Sequence, residues 1–312
     1  MMNTNKTNKS ITRGFVTVAT GNEYFYKLAR TMLRSYRRFN SRYPFAIICD
    51  RKNEYTEEFD DIVILDKANN NYVDKLRVFT DSPYDESFFI EPDCIIYNNI
   101  DVFFELLAKD CDFSSFGWND GDLNVWFSDP QKVIDKYGEK ASSIRTFNPG
   151  YFFVRKSETC KKIYSDAMGI SEWIKETLNQ DEEIKLFNKG MLRDDPLLAL
   201  AMTLNNCFCH EKPKIGKCIS LPSVKKINDI SIVRGKLDLI QDRHYDDCKL
   251  LHFSTHKTKE EGLYLQQSMI VDMLYKKYPL WLVKLMEKRF VCSVFHFFRK
   301  AKYGIKSRIC KK

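Results

Sequence analysis

The stretch Phe88-Phe89-Ile90-Glu91-Pro92-Asp93-Cys94-Ile95-Ile96-Tyr97 sets two carboxylates, one residue apart, between blocks of large apolar side chains. Charges beside so much apolar surface are costly unless a partner binds them. A short apolar run is typical of a strand in a covered sheet, and such strands deliver polar residues to the sheet's carboxyl edge, where ligands bind. Two hard oxygen ligands there suit Mg²⁺ or Mn²⁺, which usually bridge to substrate phosphates. We therefore interpret Glu91 and Asp93 as a metal–diphosphate site.

Strands and helices alternate around this stretch. Buried strands are predicted by apolar runs at residues 15–20, 45–50, 62–65 and 151–154. Helices are predicted by apolar faces or capping signals at residues 25–36, 73–80, 157–169 and 194–204. This alternation predicts an α/β fold with a mostly parallel central sheet covered by helices. We expect a single domain over residues 1–263, followed by a basic helical segment over residues 264–312.

The composition excludes several classes of protein. With 312 residues, of which 44% are apolar and 14% aromatic, the chain has ample material for a core and is not disordered. The first residues lack the apolar stretch of a secretory signal, and no apolar run is long enough to span a membrane. Ten cysteines are scattered, with only Cys207 and Cys209 close together, so we expect a reducing, cytoplasmic location. Neither a GxGxxG nor a GxxxxGK[ST] loop is present, which argues against dinucleotide and P-loop folds.

The positive charge is concentrated at the end of the chain. Residues 284–312 contain ten basic residues and one acidic residue, although the net charge of the whole chain is only +8. Bulky apolar and aromatic side chains are interleaved with these charges. One interpretation is an amphipathic segment that lies peripherally on an anionic membrane surface. The other is a helix packed on the body with a solvated charged face. Nucleic acid is not expected as a partner, because no recognised binding motif accompanies the charge.

Short motifs follow one another between residues 14 and 258. In chain order they are Phe15–Tyr24, Lys75-Leu76, Glu91-Pro92-Asp93, Asn98–Phe103, Phe147–Phe153, Asp194–Leu198 and Leu251-His252-Phe253. Their order and spacing resemble family 8 glycosyltransferases, the glycogenin-like group with a GT-A fold. The resemblance implies a GT-A-like domain that transfers a sugar, with retention of configuration, from a nucleotide-diphosphate donor. By family, the nucleotide is UDP and the acceptor is a glycan or lipid-linked glycan.

The resemblance also implies roles for individual residues. Glu91, Asp93 and His252 would bind Mn²⁺ or Mg²⁺. Nucleotide and diphosphate contacts would come from Thr17, Val18, Ala19, Tyr24, Lys75 and Lys257. Asp194 would orient hydroxyl groups, and Asp195 would stabilise positive charge on the sugar or attack as a nucleophile.

Two departures from the family pattern bear on these roles. Glu91 stands where the family usually has Asp, so it would touch the metal directly, through water, or contact ribose instead. The family's Gly and Lys-Pro-Trp after the histidine are replaced by residues 254–259, so the diphosphate lysine is Lys257 or Lys259.

Other interpretations of the same residues stay open. Asp194-Asp195-Pro196 is also a favourable helix N-terminus, and His252 is also consistent with a core histidine. A nucleotidyltransferase would be expected to carry a Gly-rich basic loop after the first strand, which residues 21–23 do not supply. A non-catalytic sugar-nucleotide-binding module with a degenerate metal site is the third class, motivated by Glu91.

Overall fold

The computed structural model describes residues 11–39, 42–108, 111–177, 186–188, 191–211, 218–220, 224–240, 244–253 and 258–287. The strands are β1 (Arg13–Ala19), β2 (Phe45–Cys49), β3 (Asp61–Ile64), β4 (Glu86–Ile90), β5 (Cys94–Ile96), β6 (Phe113–Ser114), β7 (Phe116–Asp122), β8 (Ser143–Phe147), β9 (Tyr151–Arg155), β10 (Phe187–Asn188), β11 (Met191–Leu192), β12 (His210–Glu211), β13 (Cys218–Ser220), β14 (Lys226–Ser231), β15 (Lys236–Ile240), β16 (His244–Tyr245) and β17 (Leu250–His252). The helices are α1 (Glu23–Phe39), α2 (Val78–Asp81), α3 (Val102–Leu107), α4 (Pro130–Tyr137), α5 (Glu158–Thr177), α6 (Asp194–Leu204), α7 (Thr258–Tyr275) and α8 (Leu280–Glu287), with 3₁₀ turns at Tyr72–Arg77, Leu123–Val125 and Glu139–Ser142.

Internal contacts divide the chain into two units, each built from separate stretches of sequence. Unit 1 contains residues 1–21, 42–90 and 102–211, and unit 2 contains residues 22–41, 91–101 and 212–312. The predicted division at residues 263 and 264 lies within α7, and it stays a prediction.

Unit 1 is organised around a six-stranded sheet in the order β3-β2-β1-β4-β9-β6. Strands β3, β2, β1 and β4 pair in parallel. Strand β9 pairs antiparallel with both β4 and β6, so it alone runs against the other five. The predicted α/β fold with a mostly parallel central sheet is confirmed. Unit 1 also contains the small sheets β12-β7-β8 and β10-β11.

Alternate residues of the central strands pack on opposite faces of this sheet. On one face, Phe89 and Phe152 stack at 4.7 Å between ring centroids and share a buried cluster with helix α5. On the other face, Phe88 contacts Phe103 of α3, with ring centroids 5.1 Å apart. Phe15 of β1 likewise contacts Phe104 of α3 at 5.1 Å. Helices therefore cover both faces within unit 1, as the near-continuous apolar strands predict.

Unit 2 is built from helices α1, α7 and α8 and two small sheets, β13-β17-β5 and β14-β15-β16. Its core gathers Leu28 of α1, Ile95 of β5, Leu251 of β17, Ile270 of α7 and Val283 of α8. No helix among the described residues is long and apolar enough to cross a membrane. Residues 288–312, which carry most of the predicted basic segment, lie outside the described residues.

Residues 88–97 do not form one continuous strand. It forms two strands, β4 in unit 1 and β5 in unit 2, with Glu91, Pro92 and Asp93 between them. Pro92 explains the break, because proline lacks the N–H that a central strand needs and its fixed φ favours a turn.

Candidate functional site

A tight turn presents the two carboxylates of the acidic motif. The amide N–H of Cys94 donates to the carbonyl of Glu91 at 3.1 Å, which closes a four-residue turn. Pro92 occupies the second position of that turn, where proline is favoured. The turn thus places Glu91 and Asp93 immediately before β5, and both side chains are half-buried, at 16% and 15% exposure.

Strand β17 brings the histidine to this turn. It pairs antiparallel with β5, with His252 opposite Cys94. The N–H of Phe253 extends the pairing by donating to the carbonyl of Asp93 at 3.1 Å. The Nε2 atom of His252 lies 2.8 Å from Glu91 Oε2 and 3.2 Å from Asp93 Oδ1. The sequence prediction that these three residues meet is therefore realised within unit 2.

The charges of the two carboxylates dominate the electrostatics of His252. Burial alone would lower the pKa of this imidazole, but the charges and hydrogen bonds of Asp93 and Glu91 outweigh it and raise the pKa to about 10. Without a metal, the protonated imidazole bridges the two carboxylates. Tyr264, which the sequence did not indicate as part of this site, is also buried. Burial raises the pKa of its hydroxyl well above the usual value, and the negative charge of Asp93 raises it further.

The three side chains fit a divalent cation. Their ligand atoms all lie within 4.8 Å of one another. A six-coordinate Mg²⁺ or Mn²⁺ holds its ligands at roughly 2.0–2.2 Å, which separates neighbouring ligand atoms by about 3 Å. The 2.8 Å and 3.2 Å separations from Nε2 match that spacing. Two carboxylates and one imidazole form a donor set suited to Mn²⁺, provided that His252 gives up its proton.

Unit 1 holds a second charged cluster, a buried ion pair. Lys75 Nζ lies 2.7 Å from Asp194 Oδ2, and the two side chains are only 10% and 4% exposed. Lys75 belongs to the 3₁₀ turn at Tyr72–Arg77, and Asp194 is the first residue of α6. The helix dipole favours a carboxylate at that end. Pairing and helix N-terminus therefore both stabilise the negative charge of Asp194.

A buried carboxylate that sequence reasoning missed fixes the segment before Lys75. Asp74 is 1% exposed and accepts hydrogen bonds from the backbone N–H groups of Asn69 and Asn70, each at 2.8 Å. The hydroxyl of Thr20, directly after β1, donates to the same carboxylate at 2.8 Å. This network ties the segment that carries Lys75 to the end of β1. The contact with Thr20 joins residues 54 positions apart, so no local sequence pattern indicates it.

The second predicted catalytic carboxylate has a different environment. Asp195 Oδ2 accepts from Arg193 at 2.7 Å, and its side chain is 19% exposed. The guanidinium of Arg193 lies over the ring of Trp126, 4.8 Å from the centroid. Arg193 was not singled out from sequence, because its contact with Trp126 joins residues far apart in the chain. Asp195 is thus more accessible than Asp194 and is oriented by a stacked arginine.

The predicted nucleotide contacts lie at several places. Thr17, Val18 and Ala19 are in β1, where Thr17 and Ala19 are buried and Val18 is half-buried. The turn after β1 is held by Asp50, which accepts from the Gly21 N–H at 3.0 Å. Tyr24, in unit 2, is 43% exposed in the first turn of α1. Lys257 lies outside the described residues.

The cysteines that could suggest a zinc site are buried thiols. Burial raises the pKa of Cys207 to about 11 and that of Cys209 to about 12. Among the described residues, neither thiol belongs to a group of three or more side chains close enough together to hold a metal ion.

No family model matches the chain, and no curated protein matches it either. Solved structures that resemble it include glycosyltransferases, the class of enzyme that the sequence motifs resemble. The galactosyltransferase LgtC in complex with donor and acceptor sugar analogues is 11% identical, with a TM-score of 0.49, and the match covers 82% of this chain and 95% of LgtC. Mouse xyloside xylosyltransferase 1 is 13% identical, with a TM-score of 0.41 and coverage of 68% and 88%. The apo form of GlyE from Streptococcus pneumoniae TIGR4 is 14% identical, with a TM-score of 0.42 and coverage of 64% and 46%.

The chain thus spans less than half the length of GlyE. Likeness at this level of identity and TM-score assigns neither a family nor an activity.

Proposed function

We propose that this protein is a metal-dependent glycosyltransferase that moves a sugar from a UDP-sugar to a glycan or lipid-linked acceptor, with retention of configuration. The observation that carries the proposal is the convergence of Glu91, Asp93 and His252, whose ligand atoms lie within 4.8 Å of one another. Two carboxylates and an imidazole on a tight turn and an adjacent strand suit a cation that binds substrate diphosphate.

The departing nucleoside diphosphate carries negative charge that must be neutralised. Glu91, Asp93 and His252 would hold Mn²⁺ or Mg²⁺, which when bound acts as a Lewis acid on the diphosphate. Glu91 and Asp93 are only half-buried, so a diphosphate has access to the same face of the turn. His252 binds only in its neutral form, so loading of the site removes the proton that the imidazole otherwise holds between the carboxylates.

The proposal assigns three further residues to the substrate. Lys75 contacts the diphosphate or the sugar, and Asp194 orients hydroxyl groups while its charge is balanced by Lys75. Asp195, held by Arg193, stabilises positive charge on the sugar or attacks it.

The nucleotide is bound by a separate set of groups. The end of β1, with Thr17, Val18 and Ala19, offers backbone groups to it, and Tyr24 offers an aromatic face. Lys257 adds a cation at the diphosphate.

The acceptor class follows from the same proposal. A lipid-linked glycan would bring the enzyme to the cytoplasmic surface of an anionic membrane, where it would bind peripherally. The basic and aromatic composition of residues 284–312 supports this.

Calorimetric titration with UDP, GDP and CDP, each with and without Mn²⁺, tests the proposal. UDP should bind only with Mn²⁺, and Asp93→Asn should abolish that binding, because the neutral amide lacks the negative charge that attracts the cation. Asp246→Asn is the matched control, since it removes an exposed carboxylate from the same unit and should bind like the wild type. Absence of nucleotide binding under all conditions would contradict the proposal.

Product analysis separates transfer from the other two classes. A transferase releases UDP from a UDP-sugar, whereas a nucleotidyltransferase releases pyrophosphate from UTP and a sugar phosphate. Metal-dependent binding of UDP-sugar without either product would identify a binding module.

A further inference from the structure

An exposed apolar tip joins helices α7 and α8 in unit 2. Seven consecutive residues, 275–281, are exposed. Four of them are large aromatic or aliphatic side chains, with exposures of 45% for Tyr275, 48% for Tyr278, 50% for Leu280 and 70% for Trp281. Leu285, one turn further on in α8, is 41% exposed. We call residues 275–281 with Lys284 and Leu285 the hairpin tip. A soluble surface rarely concentrates so many large apolar groups, and such patches mark interaction sites.

Hydrogen bonds hold the backbone of the hairpin tip in a defined conformation. The N–H of Lys277 donates to the carbonyl of Leu274 at 3.0 Å, and the N–H of Tyr278 donates to that of Met273 at 2.9 Å. These two bonds form the Schellman motif that ends α7. Helix α8 then begins with the N–H of Leu282 donating to the carbonyl of Pro279 at 2.9 Å. The apolar side chains are therefore presented by an ordered turn.

The far end of α8 is anchored, which keeps the hairpin in place on unit 2. Gln266 of α7 donates from Nε2 to the carbonyl of Met286 at 2.8 Å. The Glu287 carboxylate accepts from the N–H of Val233 at 3.0 Å and from the hydroxyl of Ser231. Val283, between the exposed residues of α8, is fully buried. One face of α8 thus packs on unit 2, and the face with Trp281 and Leu285 is left to solvent.

The hairpin tip is rich in positive charge. Lys276, Lys277 and Lys284 are exposed. Among the described residues Lys276 and Lys277 form no ion pair, and the nearby Asp272 pairs with Arg34 at 2.7 Å. Lys284 lines a cavity together with Asp229 and Glu287. In the sequence, residues 288–312 add nine basic residues and no acidic one. The tip therefore carries three exposed lysines, and the sequence that follows α8 is strongly basic.

Lys277 adds a further observation. Its φ is +56°, in the left-handed region that favours glycine. A lysine there is sterically disfavoured, so the fold itself does not explain the residue. The presence of lysine at this position is explained if its ammonium group, at the apex of the hairpin, binds an anionic partner.

We propose that the hairpin tip is a docking surface for an anionic lipid bilayer. Tryptophan and tyrosine are enriched at the depth of the lipid headgroups, and lysines beside them bind anionic lipids. The same composition disfavours a second copy of the chain as occupant, because protein interfaces are depleted in lysine and like charges would repel. The proposal specifies the surface behind the proposed membrane association. It does not depend on sugar transfer, because lipid binding is measured without donor or acceptor.

Co-sedimentation of the full-length protein with vesicles tests this proposal. One set is pure phosphatidylcholine, and the other contains 30% phosphatidylglycerol. Wild type should partition to the anionic vesicles and release as salt rises. Trp281→Ala should weaken partitioning well over tenfold, because a largely exposed indole can bury roughly 100 Å² or more in the interface. Replacing Lys276, Lys277 and Lys284 together by Gln should weaken it about a hundredfold, at about fivefold per lysine. Phe208→Ala, which removes an exposed aromatic ring in unit 1, should change nothing.

Lys277→Gly separates the membrane role from folding. Glycine suits the left-handed position, so this variant should unfold at the same or a higher temperature than the wild type while binding anionic vesicles about fivefold more weakly. Unchanged vesicle binding in Trp281→Ala and in the triple lysine variant would overturn the proposal. A concentration-dependent dimer in sedimentation velocity that Trp281→Ala dissociates would also overturn it, because a second copy would then cover the tip. Vesicle binding is measured without donor or acceptor, so a protein that lacks transferase activity could still bind anionic vesicles through the tip. Failure of the docking proposal is therefore distinguishable from failure of the proposed function.

Discussion

Shortening Glu91 by one methylene tests whether its carboxylate is a metal ligand placed by side-chain length. Glu91 Oε2 lies 2.8 Å from His252 Nε2, the spacing expected of neighbouring ligands. Asp at position 91 keeps the charge but withdraws the carboxylate by roughly 1.3–1.5 Å, far more than the tolerance of about 0.2 Å in a metal–ligand distance. The turn limits compensation, because Pro92 and the bond from Cys94 N–H to Glu91 O fix the backbone. We expect Glu91→Asp to bind Mn²⁺ about tenfold to a hundredfold more weakly than the wild type.

Calorimetry and thermal unfolding both measure this change. A tenfold rise in Kd corresponds to about 1.4 kcal/mol, so at saturating Mn²⁺ the variant should lose about that much metal-dependent stabilisation. On adding Mn²⁺, the Tm of the variant should therefore rise by roughly 2–4 °C less than the Tm of the wild type. Glu91→Gln, which keeps the length and removes the charge, should bind at least as weakly as Glu91→Asp. Glu172→Asp, an exposed site in α5, is the control for the loss of a methylene. Wild-type Mn²⁺ affinity in Glu91→Asp would refute direct ligation and would favour contact through water or with ribose.

Three further predictions concern the ion pairs and the histidine. Lys75→Met should lower the free energy of unfolding by about 3 kcal/mol, because the Asp194 carboxylate would lose its buried partner. Denaturant unfolding measures this change. The double variant Lys75→Met/Asp194→Leu should recover part of the lost stability, because it leaves no buried charge unpaired. Mn²⁺ binding at pH 7 should release about one proton, because His252, with a pKa of about 10, must become neutral to bind the metal. Calorimetric titration in two buffers of different ionisation enthalpy counts the protons released. Release of no proton would show that His252 is not a ligand. Arg193→Ala should reduce transfer while leaving Mn²⁺ affinity unchanged, because Arg193 orients Asp195 in unit 1 and the metal ligands lie in unit 2; steady-state kinetics beside calorimetry separates the two effects.

The sequence predicted the central sheet well, because its strands are continuous apolar runs. Residues 15–20, 45–50, 62–65 and 151–154 correspond to β1, β2, β3 and β9 within one or two residues. Phe88 and Phe89 face opposite sides of the sheet, and each contacts other aromatic rings. A strand buried on both faces leaves this pattern in any local window.

The acidic motif shows where local patterns stop. Apolar blocks on both sides of Glu91 and Asp93 look alike in sequence, yet they form β4 in one unit and β5 in the other. Only Pro92 marks the turn. The meeting of His252 with the motif was expected from the resemblance alone, since the antiparallel register of β5 and β17 joins residues about 160 positions apart.

Other contacts left no signal that sequence reasoning could use. Asp74 is buried beneath Thr20, Asn69 and Asn70, and a buried aspartate looks the same in sequence as an exposed one. The stacking of Arg193 on Trp126 and the left-handed Lys277 likewise depend on tertiary structure. Roles for Lys257 and for the basic residues after Glu287 stay predictions, because these residues lie outside the described ranges.

Release of UDP from a panel of UDP-sugars, with and without Mn²⁺, tests the central claim most directly. The account predicts that one UDP-sugar is turned over only with Mn²⁺, that Asp93→Asn and His252→Ala abolish turnover, and that Asp246→Asn does not. Turnover that is independent of metal, or that survives in Asp93→Asn, would contradict the assignment of Glu91, Asp93 and His252 as the metal site of a transferase.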